Sequence, residues 1–259
     1  RGEGWLLTHP EREEITRRYL KHQRHLMREA LAQLTEDAED PDEKAELQAA
    51  EEGVLEERIS LNQQRLTGVF GTLRQSGAKR VLDLGCGEGR LLALLLADPS
   101  FTEITGMDVS PRVLEKAAMR LRLDSMSLRQ RERIQLLQGS LMYRDARLSG
   151  YDAAAMMEVV EHLDPPRLAA FERVIFQHAR PRMVVMTTPN CEYNARFESM
   201  PAGKLRHKDH RFEWTRKELQ GWADRVAGQH GYGVSFSPIG AEDAALGAPT
   251  QMAVFQRTN

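Results

Sequence analysis

The spacing of apolar residues changes near residue 79. Before this point apolar positions recur at helical intervals among many Glu, Arg, Leu and Ala residues. Asp40–Pro41 interrupts the pattern, because proline is disfavoured inside a helix. We therefore predict a helical extension or lid over residues 1–76 and a second domain over residues 77–259.

From residue 79 onward, short apolar runs alternate with helical stretches. The predicted strands are 80–84, 103–107, 133–137, 152–157 and 183–187, and the predicted helices are 90–98, 110–126, 165–179 and 215–229. This βα repetition indicates an α/β, Rossmann-like fold with a mostly parallel sheet covered by helices on both faces. Two late strands, at 233–237 and 251–255, are expected to form an antiparallel hairpin at one edge.

Composition places the chain among globular proteins. Its 259 residues are 41% hydrophobic and 29% charged, with two cysteines, which excludes disordered and disulfide-scaffold classes. The longest apolar run, residues 91–97, is far shorter than the roughly 18 residues of a membrane span, so no membrane partner is expected. The distant cysteines and the lack of a signal sequence indicate the cytoplasm. Because the chain begins at Arg1, we expect it to be a fragment of a longer protein.

Charge is unevenly distributed along the chain. The first 60 residues carry a net charge of −7 and the remainder carries +5. Residues 196–217 contain seven Lys and Arg against three acidic residues, a net charge of +4. This basic segment favours a substrate that bears phosphate groups.

Three alternating glycines, Gly85, Gly87 and Gly89, lie between the first predicted strand of the sheet and the following helix. Glycine permits a sharp turn and close approach of a ligand to the backbone. The dinucleotide-binding fingerprint requires a further glycine where this chain has Arg90, so a pyrophosphate ligand is not favoured. Asp108 ends the next strand, where it can accept hydrogen bonds from both hydroxyls of a ribose. The pattern predicts a nucleoside ligand without a diphosphate.

Glu158, Glu161 and His162 follow the fourth predicted strand. Residues at these spacings share one face of a helical turn, and two converging carboxylates favour a bound cation. Mixed Glu and His ligands favour Mn²⁺ over Mg²⁺, with Co²⁺ and Zn²⁺ also open. Two alternatives remain: a capped helix start with solvated acids, and an H-x-x-E-H zinc hydrolase, although that motif requires histidine at the position of Glu158.

The glycine loop and the acid after it resemble class I S-adenosylmethionine-dependent methyltransferases. In that class, residues matching the three glycines approach the cofactor and the residue matching Asp108 holds its ribose. The matching residues that follow the third strand flank the adenine. The resemblance implies a cofactor site formed by Asp83, Gly85, Cys86, Gly87, Gly89, Asp108, Val109, Ser140 and Leu141.

Three segments, at 158–162, 187–190 and 209–216, resemble the Hen family of RNA 3′-terminal ribose 2′-O-methyltransferases. The resemblance implies that Glu158, Glu161, His162 and His210 bind the metal. We predict in addition that His162 or His210 accepts the proton, with direct transfer to solvent as the alternative. His207 has no secure counterpart. It joins Arg206, Lys208 and Arg211 as a predicted RNA contact.

The resemblance implies methyl transfer from S-adenosylmethionine to the 2′-OH of the last nucleotide of an RNA, marking or protecting the end during RNA repair. A bound metal would lower the pKa of the hydroxyl. Residues 2–5 and 8–10 resemble the bacterial branch, which partners a polynucleotide kinase-phosphatase-ligase. Two other hypotheses stay open: a metal-dependent O-methyltransferase for small catechol-type molecules, and a non-catalytic RNA-binding module.

Overall fold

The computed structural model describes residues 61–197 and 204–258. The chain divides into two compact units, Arg1–Glu52 and Gly53–Asn259, and all described residues belong to the second. The helices predicted before residue 61 lie outside the described residues. The helix that precedes Gly77 packs against the sheet and is part of the second unit.

A seven-stranded sheet forms the centre of the described region. Its strands are β1 (Arg80–Leu84), β2 (Glu103–Asp108), β3 (Ile134–Gln138), β4 (Ala153–Met157), β5 (Met183–Pro189), β6 (Tyr232–Ile239) and β7 (Thr250–Arg257). The spatial order is β3-β2-β1-β4-β5-β7-β6, in which the first five strands are parallel and the last two antiparallel. The predicted sheet and its late antiparallel pair are confirmed.

Helices cover both faces of this sheet. They are α1 (Leu61–Gln75), α2 (Arg90–Ala97), α3 (Pro111–Leu121), α4 (Leu128–Arg131), α5 (Leu168–Glu172) and α6 (Arg216–His230). A π-helix, Arg173–Ala179, continues α5. A capping box formed by Thr215 and Glu218 starts α6, and Gly231 ends it with a φ of 75°.

Two predicted helices differ from the structure. The helix predicted to reach residue 126 ends at Leu121, because Arg122 adopts a left-handed φ of 53° and a short 3-10 helix follows. The helix predicted over 165–179 begins as a 3-10 turn, Pro165–Arg167, before α5 and the π-helix. Apolar spacing predicts the extent of this segment but does not distinguish the three helix types.

The core consists of two layers, one on each face of the sheet. Ala154 and Met156 of β4 face the layer that contains α5 and α6, whereas Ala153 and Ala155 face the layer that contains α1 and α2. Burial on both faces explains the continuous apolar runs of the parallel strands. Among the described residues, no helix combines the length and apolar character that crossing a membrane requires.

Candidate active site

The two predicted sites border the same crevice of the sheet. Neighbouring strands β1 and β4 mark the point where the strand order reverses. In open α/β sheets, ligands bind at the carboxyl ends of the strands around this switch point. The glycine loop follows β1 and the Glu/His segment follows β4, so the fold brings both to one crevice.

The glycine loop is held by backbone contacts and faces open space at its middle. Gly85 and Cys86 donate backbone hydrogen bonds to the carbonyl oxygen of Met107, at 2.8 and 3.0 Å. A Cβ atom on Gly85 would lie 2.6 Å from a methyl carbon of Val159. A Cβ atom on Gly87 would meet no atom within 4 Å. Gly85 is therefore required by packing, whereas Gly87 leaves room for a ligand.

Asp108 has a structural role in this loop that its position in the sequence does not reveal. Its carboxylate accepts backbone hydrogen bonds from Gly87 and Ser110, both at 3.0 Å. Each carboxylate oxygen retains a second lone pair, so the predicted ribose contact is compatible with this role. Asp108 thus holds the glycine loop in place through its hydrogen bond with Gly87.

Asp83 lies at the buried end of β1, near the loop. One of its carboxylate oxygens is buried without a hydrogen-bond partner within the described region. Burial, with a contribution from Asp108, raises the pKa of Asp83 to about 7. An incompletely satisfied buried carboxylate fits a cationic ligand such as S-adenosylmethionine.

The other predicted cofactor residues lie along the same edge. Val109 is 64% exposed directly after β2 and offers an apolar surface to the crevice. Ser140 and Leu141 follow β3, and the backbone N–H of Gly139 donates to the carbonyl of Asp108 at 3.0 Å. Burial raises the pKa of the Cys86 thiol, which is therefore neutral at physiological pH. This arrangement fits a nucleoside laid across β1, β2 and β3.

Glu158 does not lie on a helical turn, contrary to the prediction from its spacing. It adopts a left-handed φ of 55°, and the 3-10 turn after it begins at Val160. Its carboxylate accepts a hydrogen bond from the Thr187 hydroxyl at 2.8 Å and lies 2.9 Å from Nη2 of Arg65. Arg65 is buried in α1, and its Nε donates to the Thr250 hydroxyl at 2.8 Å. Sequence reasoning missed Arg65, because its helix is distant along the chain.

Glu161 is completely buried. One carboxylate oxygen accepts a hydrogen bond from the Thr188 hydroxyl at 3.0 Å, and the other has no hydrogen-bond partner among the residues described. Burial, together with the charge of Glu158, raises the pKa of Glu161 well above its usual range. Such a group is costly in an apolar interior unless a cation or proton compensates it.

Three histidines converge beside this carboxylate segment. One ligand nitrogen from each of His162, His207 and His210 lies within 4.8 Å of the others. Desolvation, followed by the His210 and His207 rings, lowers the pKa of His162 to about 4. Neutral imidazole is the form that binds metals. We name His162, His207 and His210 the histidine cluster.

Buried polar contacts hold His210 in place. Its Nδ1 lies 2.7 Å from Oε1 of Glu213, which also accepts the backbone N–H of Arg206 at 2.6 Å. The side chain of Asn194 donates to Oε2 of Glu213 at 2.6 Å. Because Glu213 engages Nδ1, His210 presents Nε2 for other contacts.

The predicted RNA contacts divide into two groups. Arg206 is only 5% exposed, and its guanidinium donates to Asn194 and to the backbone carbonyl of Asn190. We therefore correct its assignment from an RNA contact to a residue that supports the histidine cluster. Lys208 and Arg211 are exposed, and Nε of Arg211 lies 3.5 Å from the carboxylate of Asp164.

The donor set fits a divalent metal, although the structure groups the residues differently from the prediction. His207, predicted to contact RNA, lies in the histidine cluster, whereas the Glu158 and Glu161 carboxylates fall outside that 4.8 Å group among the described residues. The backbone N–H of Arg211 donates to the carbonyl of Glu161 at 2.7 Å, which joins the two segments. Two observations therefore favour a bound cation: the histidine cluster, and the buried oxygen of Glu161 that has no hydrogen-bond partner among the described residues.

The fold and the glycine loop define a methyltransferase domain of class I. A family model described as a methyltransferase domain matches residues 19–227. A second model, described as the RNA repair, ligase-Pnkp-associating region of Hen1, matches residues 1–35. The chain is 56% identical to the methyltransferase domain of the bacterial protein CtHen1, with a TM-score of 0.71 over 77% of this chain and 100% of that one. The chain belongs to the Hen1 family of methyltransferases.

Curated relatives from animals and plants share this domain. A rat protein named small RNA 2′-O-methyltransferase is 37% identical over 80% of this chain and 53% of its own length. An Arabidopsis thaliana protein of the same name is 32% identical over 76% of this chain and 22% of its own length. The chain thus spans about half the length of the rat protein and about a fifth of the length of the Arabidopsis protein.

Proposed function

We propose that this protein transfers a methyl group from S-adenosylmethionine to the 2′-OH of the 3′-terminal nucleotide of RNA, in a metal-dependent reaction that marks or protects RNA ends during repair. The observation that carries the proposal is the position of the glycine loop and the histidine cluster on opposite sides of one switch point. The names of the relatives support the choice of RNA and of the 2′ oxygen.

The backbone of the glycine loop would position the cofactor. Gly87 leaves open space for the ligand, and Asp108 is placed for the ribose hydroxyls. Val109, Ser140 and Leu141 would surround the adenine, while the buried carboxylate of Asp83 would favour the cationic end of S-adenosylmethionine. These residues would hold the cofactor on the β1–β3 side of the crevice.

The metal would be held by Glu158, Glu161, His162 and His210. Of these, His162 and His210 belong to the histidine cluster, and His207 is close enough to both of them to join. We favour Mn²⁺, with Mg²⁺ or Co²⁺ as alternatives, because both oxygen and imidazole donors are present. When bound, such a metal is a Lewis acid that eases deprotonation of a ribose hydroxyl.

The surrounding side chains orient these groups. Arg65 and Thr187 hold the Glu158 carboxylate, Thr188 holds Glu161, and Glu213 holds His210. We assign proton acceptance to His162 or His210. His162 lies nearer the protein surface than the buried His210, so a proton on His162 has the shorter path to water.

Recognition of the 3′ end follows from the chemistry of ribose. Only the last nucleotide carries both a free 2′ and a free 3′ hydroxyl, since internal 3′ oxygens are esterified. A site that engages both hydroxyls therefore selects the terminal nucleotide. Exposed Lys208 and Arg211 would contact the phosphates, a contact that carries little sequence specificity.

The match of residues 1–35 to the ligase-Pnkp-associating region of Hen1 supports a partner as well. We propose that a polynucleotide kinase-phosphatase-ligase binds this protein and that both act on the same RNA ends. The two free cysteines, Cys86 and Cys191, fit a reducing cytoplasm.

The test is transfer of labelled methyl from S-adenosylmethionine to short RNAs that end in a 2′,3′-diol, a 2′-deoxy sugar or a 3′-phosphate, with Mn²⁺ or with a chelator. We expect transfer only to the diol and only with metal. Transfer to all three ends, or transfer that survives chelation, would contradict end recognition or metal dependence. Transfer to a catechol but to no RNA would favour a small-molecule methyltransferase.

A further inference from the structure

A pocket lies between the first turns of α6 and the ends of β6 and β7. Its volume is about 160 Å³. In the sheet, Thr250 pairs with Pro189 at the carboxyl end of β5 and with Ile239 at the end of β6. The pocket therefore opens at the same edge of the sheet as the active site.

Hydrogen bonds connect this pocket to the active site. Thr250, which lines it, accepts a hydrogen bond from Arg65, and Arg65 contacts Glu158. Asn190, a second lining residue, accepts a hydrogen bond from Arg206 through its carbonyl at 2.8 Å. The strand order places the cofactor loop on one side of this centre and the pocket on the other. The pocket therefore lies on the side of the active site that is away from the cofactor loop.

The wall of the pocket is well fixed. The Asn190 side chain donates to the carbonyls of Leu246 and Ala248, at 2.8 and 2.9 Å. Gly247 adopts a φ of 74°, and a Cβ atom there would lie 3.1 Å from Arg216. These contacts pack the loop closely against the start of α6, so the pocket is part of the folded structure.

The charges around the pocket do not favour a phosphate. The guanidinium of Arg216 binds Glu192 at 2.8 Å and the carbonyl of Ala245 at 2.7 Å. Glu242 also lines the pocket and lies close enough to Arg216 to interact electrostatically. Arg216, the cation that the described residues contribute to the pocket wall, is therefore compensated by carboxylates, and a bound anion would gain little binding energy.

The pocket instead has the chemistry of a base-binding site. Phe236, which is 36% exposed, and Pro238 form apolar surfaces. Gln220 and Ser237 add neutral groups that donate and accept, and neither side chain forms a hydrogen bond with another of the described residues. A cavity of about 150 Å³ holds a single aromatic ring. The volume and the lining suit one flat heterocycle.

We propose that this pocket binds the base of a nucleotide that precedes the 3′ end of the substrate RNA. The proposal rests on the proposed function and extends it from the terminal ribose to the RNA body. Phe236 stacks on the base, and Gln220 and Ser237 contact its edge. Because stacking accepts any base, the pocket adds affinity with little sequence preference.

The experiment combines protein variants with abasic RNAs. A set of 12-nucleotide RNAs with a 3′ diol carries one abasic nucleotide each, at the second to sixth position from the end. For each RNA we would measure KM for methyl transfer, and affinity by fluorescence anisotropy with Mn²⁺ and without S-adenosylmethionine. The proteins are the wild type, Phe236→Ala and Gln220→Ala, with Gln229→Ala as the matched control at the exposed far end of α6.

We expect one abasic position to raise the wild-type KM and Kd roughly tenfold. Phe236→Ala should weaken the binding of intact RNA by a similar factor. In this variant, an abasic nucleotide at that one position should no longer raise KM or Kd. Gln220→Ala should act in the same direction with a smaller effect, and Gln229→Ala should match the wild type.

Two outcomes would overturn the proposal while leaving the proposed function intact: equal KM values for all abasic RNAs, or a penalty that Phe236→Ala leaves unchanged. If the wild type methylated no RNA, the proposed function would fail. The anisotropy measurements would then still decide whether Phe236 contacts the base at one particular position of the RNA.

Discussion

The two halves of the crevice are built from different parts of the polypeptide. On the β1–β3 side, the loop around Gly85–Gly89 is formed mainly by backbone, with Asp108 accepting its N–H groups. On the β4–β7 side, the site is formed by side chains from separate segments, which include Arg65, Glu161 and the histidine cluster. The first half depends on local conformation and the second on tertiary packing.

This difference determines how each half should respond to substitution. A change in the loop acts through steric fit and should alter cofactor affinity or folding. A change among the buried side chains removes one charge or one hydrogen bond and should alter chemistry or metal affinity while cofactor binding persists. Variants that separate these responses test the division.

The largest effect is expected from Glu161→Gln. The amide keeps the shape of the side chain but removes the carboxyl group that can ionise when a cation binds. We expect methyl transfer to RNA to fall more than about a hundredfold, with the Kd for S-adenosylmethionine unchanged. Glu115→Gln, an exposed change on α3, is the control. Activity near the wild-type level would show that Glu161 has no role in the reaction.

The second largest effect is expected from substitutions of two glycines in the glycine loop, one on cofactor affinity and the other on stability. Gly87→Ala should weaken S-adenosylmethionine binding at least about tenfold, at a folding cost of about 1 kcal/mol from its left-handed backbone. Gly85→Ala should destabilise the fold by about 1–3 kcal/mol because of the Val159 contact, and Val159→Ala should partly restore stability. Calorimetric titration and thermal unfolding measure the two effects.

Unchanged cofactor affinity in Gly87→Ala would place the ligand elsewhere. Equal destabilisation by the two glycine substitutions would contradict the distinction between packing at Gly85 and open space at Gly87.

A smaller effect is expected from Glu213→Gln. The substitution weakens the hydrogen bond that orients His210, so Mn²⁺ affinity should fall roughly tenfold to a hundredfold. Titration calorimetry measures it, with Glu132→Gln at an exposed position as the control. Conversely, if Mn²⁺ affinity is retained while RNA affinity falls, His210 contacts the substrate rather than the metal.

The smallest effect is expected from Arg65→Lys. Lysine keeps the positive charge but cannot contact Glu158 and Thr250 with the geometry of a guanidinium. We expect kcat to fall by roughly tenfold or less, with the KM for S-adenosylmethionine unchanged. Arg74→Lys, at the exposed end of the same helix, should behave like the wild type. An equal loss in both variants would point to general damage to α1.

The same difference explains what the sequence could predict. The glycines, Asp108 and the strands around them form one short local pattern, and the structure has the sheet and the loop where that pattern places them. Arg65 is distant in sequence from Glu158, and no local pattern links them. The burial of Arg206 and the inclusion of His207 in the histidine cluster depend on how residues 204–213 fold back onto β4 and β5.

The central claim is that methylation occurs on the 2′ oxygen of the terminal ribose. Periodate cleaves a vicinal diol, and a 2′-O-methyl group prevents this cleavage. An RNA incubated with the protein, S-adenosylmethionine and Mn²⁺ should become resistant to periodate, whereas incubation with Glu161→Gln should leave it sensitive. RNA that gains a labelled methyl group and remains fully sensitive to periodate would contradict the claim.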